Sequence, residues 1–370
     1  MRLACLTALI ALALAVVPTG AAAERSVPRG WLGVIADGPL TSGGAMDGEW
    51  DLMAGSGAEG VRTAFYWPSA QRDGAAPPDL AHLDGVVLQA ARRGLPVLPI
   101  VSGTPGWAAG RPHDETSPPR DPQLYADFLR TLVARYGPGG SLWAEHPEVA
   151  ARPIRDWQIW NEPNLTRYWT PPRGQGFARS YVKLLRAAHR ALRGADRGSR
   201  TILAGLPNES WTALRQIYKR GGRGSFDAVA LHPYTGKPRN VVRLAELARK
   251  EMRRFKDGRK PIWITELSWP AAKGKTKNTT GFETTDRGQA QRLGEGLKLL
   301  ARARKRLRIQ RVFWYTWLSR EGSPNSFDYS GLRRERGGRI VSAPALDAFR
   351  KAARRLQGCG KAPGDATRCR

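Results

Sequence analysis

The stretch "DWQIWNEPNLTRYW" (156–169) opens as an apolar, strand-like run and drives it into Asn161-Glu162-Pro163. Pro163 has no N–H to give a sheet ladder, so it marks where a strand gives way to a loop. Trp157, Trp160 and Trp169 surround the carboxylate. A strand that ends on an acid among indoles is built to present that acid. The fold then depends on how many other strands end in the same place.

Seven further apolar runs bounded by Gly, Pro or charge read as strands. They are "WLGVIA" (31–36), "VRTAFY" (61–66), "PVLPIV" (96–101), "TILAG" (201–205), "FDAVALH" (226–232), "PIWITE" (261–266) and "RVFWYTW" (311–317). Most are apolar throughout, as suits strands covered on both faces of a parallel sheet. Amphipathic helical patterns lie between them at 80–94, 121–137, 177–194, 241–255, 286–306 and 343–356. The second of these has Asp121 as N-cap, Pro122 at its first position and Gly137 after its end. This alternation predicts an α/β fold, a single (β/α)8 TIM barrel over 24–357. An open doubly wound sheet is the competing arrangement, but no Gly-rich phosphate loop follows the first strand. The long inserts at 102–120, 162–176, 267–285 and 318–341 all follow strand ends. In a barrel they share the C-terminal face, where active sites are built.

The first 23 residues stand outside this pattern. Arg2, the apolar "LACLTALIALALAVV" and the small residues "GAAA" form a secretory signal peptide with its cleavage site after Ala23. The expected location is therefore secreted, extracellular. No later segment is apolar enough for a membrane span. Cys5 would leave with the signal, and Cys359 and Cys369 sit in or beside the polar tail 358–370, where an oxidising compartment would let them close a small loop. Two cysteines build no metal cluster. The net charge is +28, from 47 arginines and 13 lysines against 32 acids. It suits either an acidic partner or solvated outer helices. The basic residues are spread along the chain, and the densest run, "RARKRLRIQR" (302–311), falls where a surface helix ends.

Two strands end in glutamate: "WNEPN" gives Glu162, and three strand–helix units later "ITELSW" gives Glu266. In a barrel of such repeats both carboxylates enter one bowl. Glycosidic cleavage needs such a pair, one to protonate the leaving oxygen and one to attack the anomeric carbon. These motifs resemble the acid/base and nucleophile motifs of the clan A glycoside hydrolases, a (β/α)8 superfamily of retaining enzymes. The likeness is to its cellulase family and its β-xylosidase and α-iduronidase family. "TPGWA" (104–108), "LHPY" (231–234), "FWYTW" (313–317) and "FDYSGL" (327–332) extend it along the chain.

The resemblance implies roles. Glu162 is similar to the acid/base and Glu266 to the nucleophile, while Asn161 resembles the neighbour that binds the sugar 2-hydroxyl. Arg62 matches an arginine that would hold Glu266 ionised. An arginine inside a barrel is costly without a carboxylate. His232 and Tyr234 resemble groups lining the cleft, and Tyr234 can donate to Glu266. Trp107, Trp160, Trp169, Trp269 and Trp317 fall at or past strand ends and are candidate sugar platforms. Trp314 and Trp317 face opposite ways on a regular strand, so only the latter is assigned to the site.

The expectation is a monomeric, secreted retaining hydrolase cleaving an oligo- or polysaccharide, possible acidic ones included, by double displacement without cofactor or metal. A non-catalytic glycan-binding or envelope protein on the same scaffold is the alternative, since barrels host many functions. Charge alone suggests nucleic acid, but no recognised module accompanies it.

Overall fold

A computed structural model describes residues 24–42, 46–277, 279–322 and 324–359. The signal segment 1–23 and Cys369 lie outside the described residues; Cys359 is disulfide-bonded. No helix among the described residues is long and apolar enough to cross a membrane.

Nine parallel strands form the main sheet: β1 (Leu32–Ile35), β2 (Val61–Tyr66), β3 (Val97–Ser102), β4 (Asp156–Ile159), β5 (Arg200–Ile202), β6 (Leu206–Pro207), β7 (Val229–His232), β8 (Ile262–Ile264) and β9 (Ile309–Trp314). Their order is β5-β4-β3-β2-β1-β9-β8-β7-β6. The two ends of the sheet are thus neighbours in the chain, and the sheet curls toward itself. Ile202 bridges to Ala228, and Leu203 N–H donates to Ala228 O at 3.0 Å. Where one strand was expected at 201–205, a strand at Arg200–Ile202 is followed after a break by a second at Leu206–Pro207, beyond the expected range. Gly205 lies between them, and a Cβ there would stand 1.9 Å from His232 Nε2. The imidazole occupies the space that a side chain at 205 would need.

Ile35, Leu98, Ile202, Ala228, Ala230, Trp263 and Phe313 form a core cluster drawn from the strands and separate from the main core. Arg311 and Arg200 lie over Trp263, and both pair with Asp156. Strand starts are therefore closed by charge and indole, which leaves the opposite ends for the site.

Helices cover the outside for the periodic reasons the sequence supplies. In Phe177–Ala195 the buried set includes Ala178, Tyr181, Val182, Leu185, Ala188 and Leu192, one face at 3–4 residue spacing. Each such buried leucine contributes about 1.5–3 kcal/mol of transfer free energy. Pro122–Tyr136 starts at Asp121, whose side chain accepts from Gln123 N–H. Five α-helices among the described residues were not expected: Pro39–Ser42, Asp47–Gly55, Trp67–Ala70, Ser141–Glu145 and Ser210–Lys219. The insert after β9 holds a second sheet of β10 (Leu318–Arg320), β11 (Arg333–Arg336) and β12 (Arg339–Ser342). β11 and β12 are antiparallel around Gly337-Gly338, both at positive φ as a two-residue hairpin turn requires.

Candidate active site

The chain leaves β4 in an unusual conformation. Trp160 (φ 71°) and Glu162 (φ 46°) both occupy the left-handed region. For residues with a Cβ this costs about 1–2 kcal/mol each. Trp160 N–H donates to Val101 O at 2.9 Å, Glu162 N–H to Gly205 O at 3.2 Å, and Trp160 Nε1 to Tyr168 O at 2.8 Å. These bonds hold the turn that aims Asn161 and Glu162 into the cavity.

Arg62, on β2, is 1% exposed and joins three strand ends. Its Nε donates to Gln158 Oε1 at 2.7 Å, Nη1 to Glu266 Oε1 at 2.7 Å and Nη2 to Asn161 Oδ1 at 3.0 Å. Tyr234 OH donates to the other Glu266 oxygen at 2.7 Å. Burial pushes the Glu266 carboxyl up, but the charges of His232 and Arg62 and the bonds from Tyr234 and Arg62 outweigh it, leaving the group below the usual glutamate value. Glu266 is thus held as a carboxylate in a largely dry place.

His232, fully buried at the end of β7, binds Glu162 Oε1 through Nδ1 at 2.7 Å, while its Nε2 meets Thr265 Oγ1 at 3.0 Å. One oxygen of Glu162, one oxygen of Glu266 and a His232 ring nitrogen lie within 4.8 Å of one another. Those side-chain types also ligate metals. Here Arg62 and Tyr234 already donate to the two Glu266 oxygens, and the guanidinium puts a positive charge beside any ion bound there.

The surrounding cavity measures about 680 Å3. Four carboxylates line it (Asp37, Glu115, Glu162, Glu266) against two guanidiniums, Arg62 and Arg167. Asp37, just past β1, is pushed up to about 6, first by burial and further by the charge of Glu266, although Thr316 donates to it. Tyr66 OH donates to Glu115 at 2.6 Å. Gly103, at φ 79°, lets Tyr66 lie against the backbone, since a Cβ there would meet its ring at 2.4 Å. Phe282 stacks on Tyr234 at 5.6 Å, and Phe327 meets Tyr234 edge-on at 5.0 Å and Tyr315 at 5.9 Å.

The structure brings together Glu162, Glu266, Arg62, Asn161, His232, Tyr234 and Trp160. It does not bring the other indoles into the cavity. Trp169 and Trp269 are buried, their N–H groups donating to Ser180 Oγ and Thr235 O. Trp317 is buried and donates to Glu49. Trp107 packs edge-on to Trp67 and donates to Gln71 O. Indole needs both apolar cover and an acceptor, and each of these finds both inside the protein. Tyr66, Tyr168, Tyr234, Tyr315, Phe282 and Phe327 are the aromatics of the cavity beside Trp160. Gln158, Thr265 and Asp37 were also missed. Gln158 carried a signal: it is the polar residue inside an otherwise apolar strand, where burial demands a partner.

No family model matches this sequence, and no curated protein matches it. Solved structures do. A family 39 glycoside hydrolase from Bacteroides cellulosilyticus WH2 aligns with TM-score 0.64 and 18% identity over 89% of this chain and 64% of its own. A monomeric β-xylosidase from Caulobacter crescentus CB15 gives 0.66 and 17% over 89% and 69%. GH5_18 from Streptomyces cattleya, in complex with GlcNAc, gives 0.62 and 18% over 92% and 82%. The chain spans 64% of the length of the first of these and 69% of the second. At these identities the likeness is one of fold: the parallel sheet and its helices are built as in glycoside hydrolases of families 39 and 5.

Proposed function

We propose that this chain is a secreted retaining glycoside hydrolase of clan A type that cleaves an O-glycosidic bond of an oligo- or polysaccharide by double displacement. Taken as one interrupted strand, β5 and β6 reduce the nine strands to the eight of a (β/α)8 barrel, with Glu162 and Glu266 at its C-terminal rim. One observation carries the reading: two carboxylates share a cavity, one clamped by an arginine and a tyrosine, with an oxygen of each inside a 4.8 Å cluster. Retaining pairs stand roughly 5–5.5 Å apart, while inverting pairs leave roughly 6.5–9.5 Å for a water. The short separation supports attack by Glu266 itself.

In this mechanism Glu162 protonates the departing oxygen while Glu266 bonds the anomeric carbon. Glu162, deprotonated, then takes a proton from the water that releases the sugar. His232 fixes the Glu162 carboxyl at 2.7 Å, and Arg62 and Tyr234 balance the charge on Glu266 before attack. Asn161, held by Arg62, is placed for a sugar hydroxyl. The acidic lining favours an uncharged sugar over an acidic one. The test is a panel of aryl glycosides, β-xylosides first, and neutral and acidic polysaccharides, run with wild type, Glu162→Gln and Glu266→Gln. Glu162→Gln should melt near wild type, Glu266→Gln should melt lower because it leaves the buried Arg62 without its carboxylate, and both should stay folded and lose about 100-fold or more of the turnover. Turnover retained in either variant contradicts the assignment, and no turnover by wild type on any glycan it binds favours a non-catalytic glycan-binding protein.

A further inference from the structure

The cavity lining is acidic although the chain is strongly basic, so the excess cations act elsewhere. Several of them gather on the outer wall. Between the helices Pro238–Arg254 and Asp286–Leu307 run two adjoining hollows of about 440 and 340 Å3 that share Glu246 and Arg306. Arg239, Arg243, Lys250, Arg253, Arg302 and Arg306 line them, and all six are exposed. Glu246 is the one acid in the lining, and it is taken by Arg306 at 2.6 Å. Among the described residues, the other five cations have no carboxylate within ion-pair distance. Arg239 and Arg243 sit one helical turn apart, as do Arg302 and Arg306 on the facing helix. Like charges at that spacing cost helix stability.

A second observation comes from beneath the groove. Arg249 is 2% exposed, donates to the carbonyls of Gly258, Lys260 and Leu307, and its Nε has no partner. Burial, then the charges of Arg308 and Arg253, hold its guanidinium down to about 10, still cationic at neutral pH. The groove therefore has cations on both walls and one below.

We infer that this groove binds a strand of anionic polysaccharide, apart from the cavity and independently of what the cavity does. Guanidinium forks match carboxylate and sulfate groups. A two-walled groove takes a strand rather than a sheet of headgroups, and Val341, the one large exposed hydrophobic among the described residues, lies outside it, so nothing inserts into a bilayer. No aromatic side chain lines the groove to stack a nucleobase.

The test uses a heparin decasaccharide as the probe, titrated at about 50 mM salt, where such contacts are strong. Arg243→Glu/Arg302→Glu is compared with Arg190→Glu/Arg197→Glu, an equal charge change at exposed positions away from the groove. The groove pair should weaken binding by at least about tenfold and the control pair by no more than about twofold. Arg243→Gln/Arg302→Gln should show the same order with a smaller loss if the reversal disturbs folding. Equal losses in the groove and control pairs would reduce the effect to net charge and overturn the site. Tighter binding of a ten-residue oligothymidylate, or of phosphatidylglycerol vesicles, would overturn the choice of partner. Glycan turnover at the cavity should be unchanged in all these variants.

Discussion

Replacing Arg62 by methionine tests the electrostatics of the site without knowing its substrate. The methionine fills most of the aliphatic volume but removes three donors, leaving Glu266 Oε1, Gln158 Oε1 and Asn161 Oδ1 without them. Breaking a buried ion pair from one side costs about 3–5 kcal/mol. Tyr234 still donates to Glu266, so the lower end, about 3 kcal/mol, is expected at pH 7. The pH dependence carries a sign. In wild type the folded Glu266 value is depressed below the ordinary 4.5. Its stabilisation is therefore present above that value and lost as pH falls through the folded value. Without Arg62 the folded value rises and the buried charge is penalised at neutral pH. The cost should therefore be largest at pH 7 and shrink toward pH 4, where the carboxyl takes a proton. Urea unfolding followed by tryptophan fluorescence at both pH values measures this. Arg62→Met/Glu266→Gln should be less destabilised at pH 7 than Arg62→Met alone, with a coupling of about 1–3 kcal/mol. A cost under about 1 kcal/mol, equal costs at the two pH values, or strict additivity would mean that Arg62 does not hold Glu266 ionised.

Other consequences are equally concrete. Gly205→Ala sets a Cβ 1.9 Å from His232 Nε2, so the imidazole must move. We expect a stability loss of about 1–3 kcal/mol in thermal melts together with a fall in kcat, and unchanged kcat would show that His232 does not position Glu162. Asp37 has the opposite sign to Glu266, because its folded value is raised from 3.8 to about 6. Wild-type stability should fall as pH rises through that window, and Asp37→Asn should flatten the fall; a parallel pH profile for the two proteins would rule it out.

The two glutamates were legible because a strand end is read from its stop signal, and each acid sits at one. Arg62 was legible for an energetic reason, since a guanidinium inside a sheet requires a carboxylate. The tryptophans were misread because an indole near a strand end serves packing and ligand equally well, and only the location of an acceptor decides. The acceptors, Ser180, Thr235 and Glu49, are distant in sequence from Trp169, Trp269 and Trp317. The aromatic wall came instead from Phe282 and Phe327 in long inserts, whose course no periodicity reveals. The charge-rich strand "RRER" (333–336) escaped notice because its buried Arg334 is neutralised by Glu321 and Asp286, again remote in the chain. The Gly337-Gly338 pair was the local sign that a hairpin lay there.

In double displacement Glu266 becomes covalently bound to the sugar. Incubation with a panel of 2-deoxy-2-fluoro glycosyl fluorides, followed by intact mass and peptide mapping, tests it. One equivalent of label is expected on Glu266, formed by wild type and not by Glu266→Gln. Label on another residue, or hydrolysis with inverted anomeric configuration and no label, would contradict it.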